Sequence, residues 1–125
     1  MRIRSDLYVQ AIRRLSETHG AFATIVYRGD AAGGAVYVKL RSNEDTCWLY
    51  EPEPMSFAAS PIDRRLVPAF DGAERSERDV DAYVVQQRML DTDLWMVEIE
   101  QLRSAEARAA IAAWLTSSVD TDGAP

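Results

Sequence analysis

Cysteine occurs once in this chain, at Cys47, and histidine once, at His19. No disulfide can close within the chain, so a reducing cytoplasm is the expected compartment. One residue of each kind cannot complete a soft-metal site, and neither a metal nor any other cofactor is expected. Lysine also occurs once, at Lys39, against 13 arginines. Long apolar runs are missing. The longest, Ala109–Leu115, falls far short of the ~20 residues that a membrane span requires. The opening MRIRSD lacks the apolar segment of a secretory leader, so none is expected.

What remains is an ordinary globular composition. The 125 residues contain 47% hydrophobic and 27% charged side chains, within the range of one soluble domain that folds without staples. The expected organisation is a single domain over residues 1–115 and a flexible tail over 116–125, where the sequence turns small and polar. The net charge of −6 is unevenly spread: residues 1–41 carry seven cations and three carboxylates, residues 42–125 seven cations and 17 carboxylates. An acidic chain of this kind is a poor nucleic-acid binder, because phosphate contacts need a concentrated basic surface. Internal pairing of basic N-terminal elements with acidic C-terminal ones is the simplest account of the asymmetry.

Periodicity predicts a helix from an N-cap at Ser5 to a stop at Gly20, with Tyr8, Ala11, Ile12 and Leu15 on its apolar face. Strands are predicted at Phe22–Arg28, Ala35–Arg41 and Cys47–Glu51. The glycine-rich turn Gly29–Gly34 and the polar turn Ser42–Thr46 between them are too short for crossovers, which predicts an antiparallel meander. Pro52 and Pro54 end it. Arg64–Phe70 is a candidate edge strand, compatible with Pro68. Ser76 caps a second helix with Asp79 as the acidic partner, and Val80, Tyr83, Val84 and Gln87 form its stripe. After the turn Asp91–Asp93, strict alternation puts Trp95, Val97 and Ile99 on a core face and exposes Glu98 and Glu100. Ser104–Leu115 is a third helix. The fold class is α+β: a mostly antiparallel sheet of four to five strands with helices packed on one face.

Four segments, GAFATIVYRGD (Gly20–Asp30), GGAVYVKL (Gly33–Leu40), LYEPEP (Leu49–Pro54) and VDAYVVQQRMLDTDLWMVEIE (Val80–Glu100), carry a resemblance. Together they resemble a family of small alphaproteobacterial proteins known as domain of unknown function 1491. The chain departs from the family pattern at Glu51, where a glycine is usual, and at Thr92, where a proline is usual. The resemblance implies a soluble cytoplasmic bacterial protein and supplies no activity, cofactor or site.

The residues themselves offer few centres of chemistry. Asp91, Asp93, Glu98 and Glu100 are the densest carboxylate group, and paired carboxylates can bind Mg²⁺ or serve as acid and base. A polar turn and a solvated strand face are the simpler account of them, since acidic residues are mostly exposed. Arg28, Lys39 and Arg41 fall on neighbouring strands whose alternation points them toward Glu98 and Glu100. The turn Gly29–Gly34 lacks the lysine and following helix of a phosphate loop, and is expected to be a hairpin turn. Tyr37, Trp48 and Tyr50 suit core packing better than base stacking. Cys47 and His19 have no local sequence support as a nucleophile–base pair.

Two readings of function follow. The first is a non-catalytic binding or regulatory module whose candidate ligand or partner face contains Arg28, Tyr37, Lys39, Asp91, Asp93, Glu98 and Glu100. The second is a small enzyme using the acidic turn Asp91/Asp93 with Glu98/Glu100, with Mg²⁺ as its ion. The missing nucleophile–base constellation favours the first. The partner is a protein or small molecule, and a two-fold homodimer is expected, because a short open sheet leaves edges to cover and the last helix is apolar almost all round.

Overall fold

In a computed structural model, residues 2–54 and 64–119 are described. Helix α1 (Ser5–Thr18) leads into strand β1 (Phe22–Tyr27), followed by β2 (Val36–Arg41) and β3 (Thr46–Pro52). Two short strands come next, β4 (Leu66–Pro68) and β5 (Arg75–Ser76), separated by a 3-10 turn at Phe70–Gly72. Helix α2 (Glu77–Leu90), strand β6 (Trp95–Glu100) and helix α3 (Ala105–Leu115) complete the chain. The class is α+β with a mostly antiparallel open sheet. Among the described residues it has six strands, in the order β1-β6-β2-β3-β4, with β5 also on the free side of β3.

The strand order corrects the expected meander. β6 inserts between β1 and β2, antiparallel to the first and parallel to the second, with Phe22 opposite Glu100 and Val38 opposite Val97. The cause lies in the side chains of β6. Leu94, Trp95, Met96 and Val97 are all buried, and a strand that is apolar on both faces needs a central place covered from both sides. In β1, Phe22, Thr24 and Val26 are exposed, as suits an edge.

The segment between β1 and β2 is therefore no hairpin. It crosses the end of β6 and packs on its backbone. A Cβ at Gly29 would lie 2.0 Å from the carbonyl oxygen of Asp93, and one at Gly34 would lie 2.1 Å from the same atom. Glycine is needed here for close approach. The loop also serves α1: the carbonyls of Ala31 and Ala32 accept from the backbone N–H groups of Asp6 and Ser5 at 3.0 and 3.2 Å. Ser5 is thus not the N-cap. Arg4 holds that position, while the buried Ser5 hydroxyl donates to the Gly34 carbonyl at 2.6 Å.

The two sheet faces carry separate cores. Tyr8, Val9 and Ile12 of α1 and Ile111 and Leu115 of α3 pack on Val36, Val38, Leu40, Trp95, Val97 and Ile99. Trp114 stacks on Tyr8 at 5.6 Å between ring centroids. On the opposite face, Val80 and Val84 of α2 pack on Tyr37, Cys47, Leu49 and Met96. The helices are thus divided, with α1 and α3 on one face and α2 on the other. The predicted cap of α2 is present, with the Ser76 side chain accepting from the N–H of Asp79, and Ser104, read as the first residue of the third helix, caps α3 by accepting from the N–H of Ala107. β4 is the expected edge strand. Beyond α3, buried Val119 pairs through its backbone with Arg64, while residues 120–125 of the expected tail lie outside the described residues.

Candidate functional site

Sequence spacing and strand register together build a charge cluster between α2 and the sheet. Glu77 and Asp81 are four apart and project from one face of α2. Lys39 and Glu98 are direct neighbours on the parallel pair β2 and β6. The Lys39 ammonium, only 3% exposed, meets Asp81 at 2.9 Å, Glu77 at 3.0 Å and Glu98 at 3.0 Å. Arg41 joins from the same strand, contacting Glu77 at 3.0 Å and Glu98 at 3.5 Å. Two cations thus face three carboxylates. Burial alone would lower the Lys39 pKa, but its hydrogen bonds to Asp81, Glu98 and Glu77 outweigh that and hold it above the ordinary lysine value. A lysine so paired is a structural cation, with no tendency to act as a base.

Cys47 lies beside this cluster, fully buried. Burial pushes its thiol up to about 11, against an opposing effect of Lys39. A thiol in that state is a poor nucleophile. On the far side of α2, the Tyr83 hydroxyl donates to Glu51 at 2.5 Å. Burial and this bond raise its pKa above the ordinary phenol value.

The carboxyl ends of β2 and β6 open into a polar cleft of about 360 Å³. Arg41, Ser42, Asn43 and Glu44 line one side, and Glu100, Gln101 and Leu102 the other. Its first wall is firmly held. The Asn43 side chain accepts from the N–H groups of Asp45 and Thr46, and Arg41 donates to the Glu44 carbonyl at 2.8 Å. Ser42 and Thr46 both bond the Glu74 carboxylate, which lowers its pKa through those hydrogen bonds. The second wall turns at Gln101, whose φ of 63° places a non-glycine residue in the left-handed region. Such backbone costs on the order of 1–3 kcal/mol and tends to persist where function requires it. The cleft lies outside the carboxyl ends of the one parallel pair, β2 and β6.

The residues singled out from the sequence do not form one face. Lys39 and Glu98 meet, as the alternation of their strands suggested, and Glu98 is partly buried by the pairing instead of solvated. Glu100 lines the cleft. Arg28 is displaced to the other side of the sheet, where its guanidinium lies 5.3 Å from the centre of the Trp95 ring. Tyr37 is in the core under α2, Tyr50 is in the core on the opposite face, and the half-buried Trp48 packs against that core. Asp91 and Asp93 form an exposed turn, closed by a bond from the Asp93 N–H to the Asp91 carboxylate at 3.0 Å. That turn is at the start of β6 and Glu98 and Glu100 are toward its end, about 16 Å or more away along an extended strand. The four carboxylates cannot share one ion or one substrate. Among the described residues, no three His, Cys, Asp or Glu side chains are grouped to hold a metal ion, and no helix is long and apolar enough to cross a membrane.

The family described as "Protein of unknown function (DUF1491)" matches residues 3–110. The chain belongs to the DUF1491 family. A DUF1491 crystal structure from Caulobacter crescentus CB15 shares 35% identity, covering 82% of this chain and 89% of that one, with a TM-score of 0.64. A solution structure of a protein from Agrobacterium tumefaciens shares 32% identity over 86% of this chain and 92% of that one, with a TM-score of 0.69. No curated protein matches. Both the charge cluster and the cleft fall within the span matched to DUF1491.

Proposed function

We propose that this DUF1491 protein is a small, non-catalytic cytoplasmic module that binds a polar ligand in the cleft at the carboxyl ends of β2 and β6. The observation that carries the reading is the left-handed backbone at Gln101 on the cleft wall. A strained residue beside an open polar concavity is the usual mark of a binding site. The lining fits hydrogen-bonded recognition through the Asn43 and Gln101 amides. Its charges are one guanidinium, already shared with Glu77 and Glu98, and the carboxylates of Glu44 and Glu100. That balance favours a neutral or cationic ligand over an anionic one. The low reactivity of buried Cys47 and the engaged Lys39 support binding over catalysis. Placement in the cytoplasm rests on the single cysteine.

The test is a two-dimensional NMR titration of ¹⁵N-labelled protein with amino acids, polyamines and neutral sugars. Saturable shifts at the amides of Ser42–Glu44 and Gln101–Leu102 are expected with at least one of these. Binding that leaves those amides unmoved, or no response to any of them at millimolar concentration, would overturn the reading.

A further inference from the structure

The two edges of the sheet are finished in opposite ways. Among the described residues, the free side of β3 holds only β4, three residues long and ending in Pro68, and β5, two residues long, with a 3-10 turn between them. Short strands, proline and interruptions are the devices by which proteins stop an edge from pairing further. β1 has almost none of this. It runs six residues, Phe22–Tyr27, without charge, proline or glycine, and among the described residues it pairs only with β6. Its one irregularity is a bulge between Ile25 and Tyr27. Its outward side chains are apolar as well: Phe22 is 55% and Val26 43% exposed, with Thr24 between them.

We propose that β1 is the interface of a two-fold homodimer, pairing antiparallel with β1 of a second copy about an axis at Thr24. The occupant is specified by the strand's own pattern. With Thr24 opposite Thr24, Phe22 of each copy faces Val26 of the other on the exposed side. Ala23 faces Ile25 on the side of α1 and α3. Each large apolar side chain therefore gains an apolar cross-strand neighbour, and such pairs are the unit of sheet stabilisation. An axis between Thr24 and Ile25 is ruled out, because it would oppose residues that point to different faces of the sheet. An isologous contact of this kind closes after two copies, so the exposed edge is used up without fibre growth. The bulge ends the new ladder at Val26.

A cysteine substitution at the axis tests this directly. In the proposed register the two copies of residue 24 have Cα atoms about 4.5–5.5 Å apart, within the disulfide range of about 4.4–6.8 Å. The two copies of residue 26 are about 13 Å apart along the strands, beyond reach. Native Cys47 is buried and gives no background. Diamide oxidation should convert most of Thr24→Cys, and almost none of Val26→Cys, to a covalent dimer on a non-reducing gel. By sedimentation equilibrium the unmodified protein should have twice the 14.0 kDa chain mass. Thr24→Lys, which sets like charges together at the axis, should raise the dissociation constant at least tenfold with an unchanged circular dichroism spectrum. A monomer mass at every concentration, a dimer indifferent to Thr24→Lys, or equal crosslinking at positions 24 and 26 would each overturn the proposal.

Discussion

Replacing Lys39 with methionine keeps the straight aliphatic stem in place and deletes only the charge. The ammonium meets three carboxylates at 2.9–3.0 Å. Removing one partner of a buried ion pair costs about 3–5 kcal/mol, since the remaining charge is left uncompensated. Two features place this case at the lower end of that range. Asp81 is about half exposed and can be rehydrated, while Arg41 still contacts Glu77 and Glu98. Lys39→Met should therefore lose about 3 kcal/mol at neutral pH, measured by urea unfolding followed through tryptophan fluorescence. A loss below about 1 kcal/mol would show that the cluster is solvated and that its buried geometry does not govern stability.

Other measurements probe other parts of the structure. Trp95→Ala empties a core site and removes the indole bond to the Asp30 carbonyl, and should cost about 3–5 kcal/mol in chemical denaturation. Gly34→Ala forces a Cβ onto the Asp93 carbonyl and should cost at least about 1–3 kcal/mol, whereas Gly33→Ala, which meets only the Asp30 side chain at 3.9 Å, should be nearly neutral. The Lys39 ammonium holds its proton more tightly folded than unfolded, so its contribution is complete below the unfolded lysine value of about 10.4 and is lost as pH rises through the higher folded value; thermal melts of the unmodified protein, but not of Lys39→Met, should show this alkaline loss. Cys47, buried and with its thiol held at about 11, should resist a disulfide reagent at pH 8 and react fully once guanidinium unfolds the chain.

Local signals in the sequence were reliable where local chemistry decides the outcome. The Ser76 cap, the stripe of Val80 and Val84, the stop at Gly20 and the alternation of Trp95, Val97 and Ile99 all follow from backbone and side-chain rules acting within a few residues. The meeting of Lys39 and Arg41 with Glu98 also follows from alternation. What failed was the order of strands. Short loops suggest neighbouring strands, yet the run Leu94–Val97, apolar on both faces, is itself the signal of a central strand. Ser5 was misread because its cap is replaced by carbonyls from Ala31 and Ala32, which are distant in sequence. Glu77 and Asp81 were missed as partners of Lys39 because nothing local foretells that α2 crosses above β2. The cleft was invisible for the same reason: Ser42–Glu44 and Gln101 converge only once β6 is in its place.

That insertion has a consequence for how the chain acquires its shape. β1 is among the first segments made, yet its partner in the sheet is β6, with Phe22 set against Glu100. Until residues near 100 emerge from the ribosome, β1 and the inner side of β2 are both unpaired edges, and β2 can pair only with β3. The final sheet thus closes only around a strand synthesised last. Non-local pairing of this kind slows folding relative to a meander of the same size and leaves an apolar slot open during synthesis. A fragment ending after α2 would carry five of the six strands and still be unable to close its sheet.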